Sequence, residues 1–254
     1  MPSGKKSRQA RRKPSTPAPP QRTPRPVSKK LVLAVGAALL VAAGVVALVI
    51  ALTRGGNPKT SSQLAPLSTL GALTAPRPLG PAGPEGPPIE PGPALAPAAA
   101  PPAGGAIDGI QCQPSEQVLF HIHARLTIYV NGQPKKVPYG IGIADPQTQG
   151  TPAGQFVVAG SCFAWLHTHA ADGIIHIESP VERTYTLGNF FDVWKQPLSR
   201  TQVGPAKGHV TSLVDGKVWR GSPRSIPLDA HAQIQLDVGR PLVGPTSITN
   251  WNRL

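Results

Sequence analysis

Five of the seven histidines lie in two short clusters. The first is the pair His121-x-His123, and the second is the pair His167-x-His169 followed by His176. Side chains at positions i and i+2 of a β-strand project from the same face, so each pair presents two imidazoles side by side. Neutral imidazole is a ligand for Zn, Cu, Fe and Ni. The spacing therefore predicts a transition-metal site, with zinc or copper as the cofactor.

A carboxylate joins this predicted ligand set through the hairpin that Asp172-Gly173 indicates. With a two-residue turn at this position, His169 faces His176. In the same register His167 faces Glu178. Directly opposed side chains have Cβ atoms about 4.5–5.5 Å apart. Three imidazoles and one carboxylate then share one face, a set suited to a divalent transition metal.

The only two cysteines, Cys112 and Cys162, precede the two His-bearing strands. In an oxidising compartment we expect them to form a disulfide. This bond would hold the entrances of the two strands together, so that His121 and His123 join the same site. Two thiols cannot supply a Cys-rich zinc shell, which excludes cysteine as the metal ligand.

Two alternatives remain open beside metal binding. Histidines on the polar face of a strand are ordinarily solvated, and the domain would then be an adhesion or scaffold module on a stalk. A metal-dependent enzyme would need an open coordination position and a general base, for which Glu178 is the candidate. His209 and His231 stand alone and are expected to be structural, and Asp172 is expected to form the turn.

The sequence carries no signature of a catalytic centre of another kind. A nucleophile elbow, a His-Glu-x-x-His helix, a phosphate loop and a dinucleotide fingerprint are all missing. Met1 is the only methionine, which argues against a blue-copper site. Whether the protein is an enzyme is therefore left open, and no catalytic residue is assigned.

The segments that must position the histidines have the pattern of β-strands. Apolar and polar residues alternate over 120–130, typical of a strand with one buried face. Asn131-Gly132 and Asp215-Gly216 predict hairpin turns. Residues 187–195 have apolar side chains at helical spacing with Thr186 as N-cap. We expect a mainly β domain, an antiparallel sandwich or small barrel with one short helix. Further strands are predicted at 163–169, 174–178, 210–214 and 232–238.

Composition divides the 254-residue chain into four parts. All twelve aromatic residues follow residue 119, so one globular domain is expected at 108–254. Residues 53–107 include 13 prolines and are predicted to form a disordered, Pro/Ala/Gly-rich linker. Residues 1–30 carry ten Lys/Arg and no acid, and are expected to be a disordered basic tail. The predicted domain has twelve Lys/Arg against ten Asp/Glu, which argues against a nucleic-acid partner.

Residues 31–52 form an uncharged apolar run of 22 residues. A helix of this length spans about 33 Å, enough to cross a bilayer. The run is too long for the apolar part of a cleaved signal peptide, which favours an uncleaved signal-anchor. The basic residues before it place the N-terminus in the cytoplasm. We therefore expect a single-pass protein of the cell membrane with an extracytoplasmic C-terminal domain.

Three stretches of the predicted domain carry a resemblance. Residues 121–132, 165–169 and 173–180 together resemble a recurring type of bacterial single-pass envelope protein with a His-rich extracytoplasmic β domain. The resemblance covers roughly residues 108–240. It implies a membrane-anchored topology and no activity, substrate or cofactor. Because the domain is expected outside the cytoplasm, another protein of the envelope is a candidate partner.

Overall fold

The computed structural model describes residues 63–76, 78–251 and 254. The predicted basic tail (1–30), the predicted membrane anchor (31–52) and residues 53–62 of the predicted linker lie outside the described residues. Within the described ranges, no helix is both long and apolar enough to cross a bilayer.

The described residues are mainly β, as the sequence predicts. They form four sheets and a single α-helix, α1 (Leu187–Val193), with 3-10 helices at Leu67–Leu70 and Pro223–Ser225. In chain order the strands are β1 (Leu64–Ala65), β2 (Ala106–Ile107), β3 (Ile110–Gln113), β4 (Phe120–Val130), β5 (Gln133–Lys135), β6 (Ile143–Ala144), β7 (Gln147–Thr151), β8 (Gly154–Ala159), β9 (Cys162–Ala164), β10 (Leu166–His167), β11 (Ile174–Ser179), β12 (Leu198–Ser199), β13 (Gln202–Val203), β14 (Ala206–Lys207), β15 (Val210–Val214), β16 (Lys217–Trp219) and β17 (Gln233–Val238).

The largest sheet has eight strands, seven of them in the order β1-β16-β15-β17-β4-β11-β10, with β5 also paired to β4. Strand β4 pairs antiparallel with β11. It pairs in parallel with β17 on its other side. The prediction of a purely antiparallel fold is therefore wrong for this pair. More than 100 residues separate the two strands, so no hairpin fixes their relative direction.

The two hairpins with the strongest turn signals are confirmed. Val130 pairs with Gln133 across Asn131-Gly132, whose φ angles are 51° and 72°. Val214 pairs with Lys217 across Asp215-Gly216 in the same way. Positive φ at both central residues is the requirement of the turn that matches strand twist, and Asn-Gly and Asp-Gly meet it at low cost.

The predicted helix is also present, and it ends two residues early, at Val193. The Thr186 hydroxyl accepts a hydrogen bond from the backbone N–H of Asn189, and the Asn189 side chain accepts one from the Thr186 N–H. This reciprocal capping satisfies two donors at the start of the helix. Phe190 and Phe191 are fully buried, so the helix contributes apolar side chains to the hydrophobic core.

The predicted hairpin at Asp172-Gly173 is wrong in register. His167 pairs with His176, and residues 168–173 form a longer connection. The Thr168 hydroxyl donates to the Pro138 carbonyl, which draws the chain away from β11 directly after β10. Gly173 (φ 83°) then lies so close to β4 that a Cβ there would be 2.3 Å from the Leu126 carbonyl oxygen.

The strand predicted at 163–169 is interrupted at Trp165. Residues before it, in β9, pair with β3 and β6 in a four-stranded sheet, whereas β10 belongs to the main sheet. The chain therefore passes from one sheet to the other at this residue. His169 lies beyond the end of β10.

The predicted disulfide between Cys112 and Cys162 is present. Both cysteines are buried, and they connect β3 to β9 within the four-stranded sheet. Because β10 follows β9 after one residue, this covalent link fixes the strand that carries His167 close to the segment that precedes β4.

Residues 63–76 and 78–107 contact the β domain at several points, although the sequence predicts a disordered linker there. Leu64 of β1 pairs with Trp219 of β16. Farther along, the Glu90 carboxylate forms an ion pair of 3.1 Å with Arg125 of β4. Arg125 is 2% exposed, so this segment covers the polar face of β4 that alternation assigns to solvent. Strand β4 is buried on both faces over most of its length.

Candidate metal centre

Strand pairing brings the predicted ligands together at one end of the main sheet. The register of β4 with β11 places His123 opposite His176 and His121 opposite Glu178. The register of β10 with β11 places His167 opposite His176 on the other side. The three strands are neighbours, so side chains on their shared face converge.

The first group of ligand atoms comprises His121, His123, His176 and Glu178. Nε2 of His123 is 3.1 Å from Nε2 of His121 and 3.1 Å from Nδ1 of His176. Oε1 of Glu178 is 3.1 Å from Nε2 of His121 and 3.2 Å from Nδ1 of His176. Two nitrogens bound at about 2.0–2.1 Å to a tetrahedral zinc lie about 3.3 Å apart. The observed separations are close to those of ligands around one ion.

The second group comprises His167, His169 and His176. Nε2 of His167 is 3.0 Å from Nε2 of His169. The outer nitrogens define the tautomers, because Nδ1 of His167 is 2.8 Å from the Ala164 carbonyl and Nδ1 of His169 is 2.7 Å from the Val157 carbonyl. A carbonyl only accepts, so both Nδ1 atoms carry a hydrogen and donate it. The two Nε2 atoms face each other, an arrangement that a proton or a metal ion between them stabilises.

Hydrogen bonds from the outer nitrogen are what hold histidine ligands in metal sites. His176 has such a bond as well, since its Nε2 lies 2.6 Å from Oε1 of Glu85. Three imidazoles are therefore oriented by groups behind them, with the other ring nitrogen directed at the cluster. Surface histidines that serve no common purpose do not need this shared orientation.

Burial determines which rings are neutral before any metal binds. Burial, followed by repulsion from the positive charge of His176, lowers the pKa of His123 to about 3. Burial likewise holds the pKa of His167 well below its ordinary value. Burial also opposes the charged form of His176, but the carboxylates of Glu178 and Glu85 outweigh it and raise its pKa to about 9. Two of the rings thus present free lone pairs at neutral pH, as metal ligation requires.

Two residues of the site, Glu85 and Glu116, are not predicted from the sequence. Glu85 lies in the proline-rich segment, where no periodicity indicates a buried position, and it is nevertheless buried beside His176. Glu116 lies four residues before β4, and its Oε1 is 3.2 Å from Nε2 of His169. The hydrogen bond from His169 lowers the pKa of Glu116. The one sequence signal for Glu116 is its position after Pro114-Ser115, shortly before the strand that carries His121 and His123.

The remaining two histidines take no part in the ligand groups found among the described residues. His209 is exposed. The His231 ring stacks on Trp251, and its backbone N–H donates to the carbonyl of His123.

One side of the cluster opens to solvent. A cavity of about 390 Å³ is lined by side chains of both ligand groups, by Phe156 and by Leu254. The His121 side chain is 42% exposed, whereas that of His167 is fully buried. The site is therefore buried on the side of His167 and accessible to solvent on the side of His121.

Comparison with protein-family models finds no match for this chain, and comparisons with curated proteins and with solved structures likewise find no similar chain. The described residues form a mainly β structure in which His and Glu side chains cluster in groups capable of binding a metal ion.

Proposed function

We propose that this chain is a single-pass membrane protein whose extracytoplasmic β domain binds a transition metal, zinc or copper, for sensing, buffering or delivery. The proposed ligands are His121, His123, His167, His169, His176 and Glu178. The observation that carries the proposal is the convergence of Nε2 atoms at 3.0–3.1 Å while the outer nitrogens of His167 and His169 are held by backbone carbonyls.

The proposed location is supported by two features of the chain. The apolar run at 31–52 is long enough for an anchor, and the positive charge before it favours a cytoplasmic N-terminus. The Cys112–Cys162 disulfide is typical of an oxidising compartment. Metal exchange with a partner in the envelope needs an accessible ligand, and the exposed edge at His121 provides one.

The test uses the full chain, purified in detergent and freed of metal by a chelator. Zn²⁺ or Cu²⁺ at a hundred times Kd is expected to stabilise the native state by about 2.7 kcal/mol, seen as a rise in Tm. His169→Gln is expected to reduce this rise, whereas His209→Gln, at an exposed position, leaves it unchanged. A chain that contains no metal and whose Tm neither ion changes would refute metal binding.

Metal-dependent catalysis is the second candidate, and the cavity beside the ligands favours it. An enzyme needs a coordination position open to substrate, and the accessible edge of the cluster is where such a position would lie. Turnover of hydrolytic or oxidative probe substrates by the metal-loaded chain, lost in His169→Gln with folding intact, would support this candidate over simple binding.

A further inference from the structure

Two residues connect the two groups of ligand atoms. His176 is a member of both, and Glu178 belongs to the first and forms a third group with Glu116 and His167. Oε1 of Glu178 is 3.1 Å from Nε2 of His121 and 3.2 Å from Nδ1 of His176. Its other oxygen, Oε2, is 3.9 Å from Nε2 of His167. Glu178 therefore contacts the first group with one oxygen and approaches the second with the other.

Oε2 of Glu178 is buried and finds no hydrogen-bond partner among the described residues. The side chain is only 4% exposed, so water does not compensate readily. Buried polar atoms are almost always paired, and a buried charged oxygen without a partner is costly. A cation held beside His167 and His169 would neutralise this oxygen.

The distances also indicate that one ion cannot use all the histidines. Metal–ligand bonds of about 2.0–2.2 Å limit two ligand atoms on one ion to a separation of about 4.4 Å. The atoms within each ligand group lie within 4.8 Å of one another, yet no such group among the described residues joins His121 or His123 to His167 or His169. Full use of both His-x-His pairs therefore needs two ions.

We propose that the centre binds two transition-metal ions bridged by Glu178, an inference that rests on the proposed function. The first ion is bound by His121, His123, Nδ1 of His176 and Oε1 of Glu178. The second ion is bound by His167, Glu116 and Oε2 of Glu178, three residues that form a ligand group, and by His169, whose Nε2 is 3.0 Å from that of His167 and 3.2 Å from Oε1 of Glu116. Each ion then has four ligands from the chain. Ions in two-metal sites lie about 3.5–4 Å apart.

Nearby carboxylates match the charge of such a pair. Glu116 approaches His169 at 3.2 Å, on the side of the second ion. Glu85 contacts the outer nitrogen of His176, on the side of the first. With the bridging Glu178, three carboxylates surround two divalent ions, which offsets most of their positive charge in a partly buried site.

Copper provides a direct test on the full chain in detergent. We expect two Cu²⁺ per chain by mass spectrometry of the metal after gel filtration. We also expect an electron paramagnetic resonance intensity well below that of two isolated ions, because ions bridged by one carboxylate couple magnetically. Either result alone is informative, since the first counts the ions and the second reports their proximity.

Two variants assign the ions separately. His121→Ala and Glu116→Gln change the more exposed ligands, at 42% and 38% side-chain exposure, so the fold is expected to survive. Each is expected to weaken one of the two copper-binding steps by at least about tenfold and to leave the other. His209→Ala, the control, retains both steps.

The results that would overturn the two-ion inference differ from those that would overturn the proposed function. One copper per chain, weakened by both variants, would overturn the two-ion inference and leave metal binding intact. Two coppers with the full intensity of isolated ions would overturn the bridge through Glu178. A chain that binds neither Cu²⁺ nor Zn²⁺ would overturn this inference together with the proposed function.

Discussion

Oε1 of Glu85 lies 2.6 Å from Nε2 of His176, although 91 residues of chain separate the two. Glu85 belongs to a proline-rich segment and His176 to β11 in the main sheet. The contact makes that segment part of the candidate metal centre, because a carboxylate on the outer nitrogen orients the ring and increases its basicity.

Replacing Glu85 is therefore expected to weaken metal binding without removing a ligand. Glu85→Ala should raise the Kd for Zn²⁺ by about 10–100-fold. Glu85→Gln should recover part of this loss, since its amide oxygen can still accept from His176. Competition with a chelator of known affinity measures the change. Glu182→Ala, at an exposed acid, is the control, and an unchanged Kd in Glu85→Ala would contradict the orienting role.

Asp172 is expected to make the metal-free protein less stable as the pH rises. Burial, followed by repulsion from Glu85, raises the pKa of Asp172 to about 7, while the charge of His176 acts in the opposite direction. Arg125 donates to the backbone carbonyl of Asp172, and its other hydrogen bonds go to the Pro88 carbonyl and to Glu90. The folded state thus binds the proton more tightly than the unfolded chain, where the pKa is about 3.9. The stability that the protonated Asp172 carboxyl contributes is fully present below pH 4 and is lost as the pH rises toward 7.

Asp172→Asn isolates this effect. Above pH 7 the variant should gain up to about 4 kcal/mol in the free energy of unfolding relative to wild type, since a difference of about 3 pKa units is worth about 1.4 kcal/mol per unit, and the gain should shrink toward pH 4. Urea unfolding in the presence of EDTA, at several pH values, provides the comparison. A difference between the two proteins that stays constant with pH would contradict the raised pKa.

The ion pair of Arg125 with Glu90 is expected to hold the segment over β4. Both side chains are buried, so Arg125→Met leaves an uncompensated carboxylate and should cost about 3–5 kcal/mol. Arg125→Met combined with Glu90→Gln should recover much of that loss. Hydrogen exchange at residues 81–96 should rise in the single variant. Equal exchange in wild type and variant would show that the segment does not depend on this pair.

The disulfide is expected to contribute about 4 kcal/mol by restricting a loop of some 50 residues in the unfolded chain. The double variant Cys112→Ala, Cys162→Ala should show this loss in urea unfolding. Reducing agent should destabilise wild type and leave the variant unaffected, because the structure contains no other cysteine. A variant as stable as wild type would contradict a stabilising role.

Features set by neighbouring residues could be predicted from the sequence. Asn131-Gly132 determines its own turn, and Thr186 with the apolar spacing after it determines the start of α1. Pairings between distant segments could not be predicted. Neither the contact of β11 with β4 nor the parallel contact of β4 with β17 has a local signal, since both depend on how the whole chain packs.

In the candidate site too, features set by neighbouring residues could be predicted and contacts between distant segments could not. The five clustered histidines and Glu178 are visible as a spacing. The sequence nevertheless predicts the wrong register for them, because the Asp172-Gly173 pair resembles a hairpin turn. Glu85 and Glu116 are single acids in irregular segments. Their role follows only from three-dimensional proximity, which no periodicity in the sequence encodes.

Strand β1 lies at one edge of the main sheet, whereas β10 and β11 lie at the other. Tension arriving through the chain before Leu64 would act first on the two-residue ladder between β1 and β16. Once that ladder opened, the load would pass along the chain toward Glu85, whose carboxylate contacts His176. A pull on the chain before Leu64 would therefore reach the candidate metal centre through this segment, and not across the strands of the main sheet.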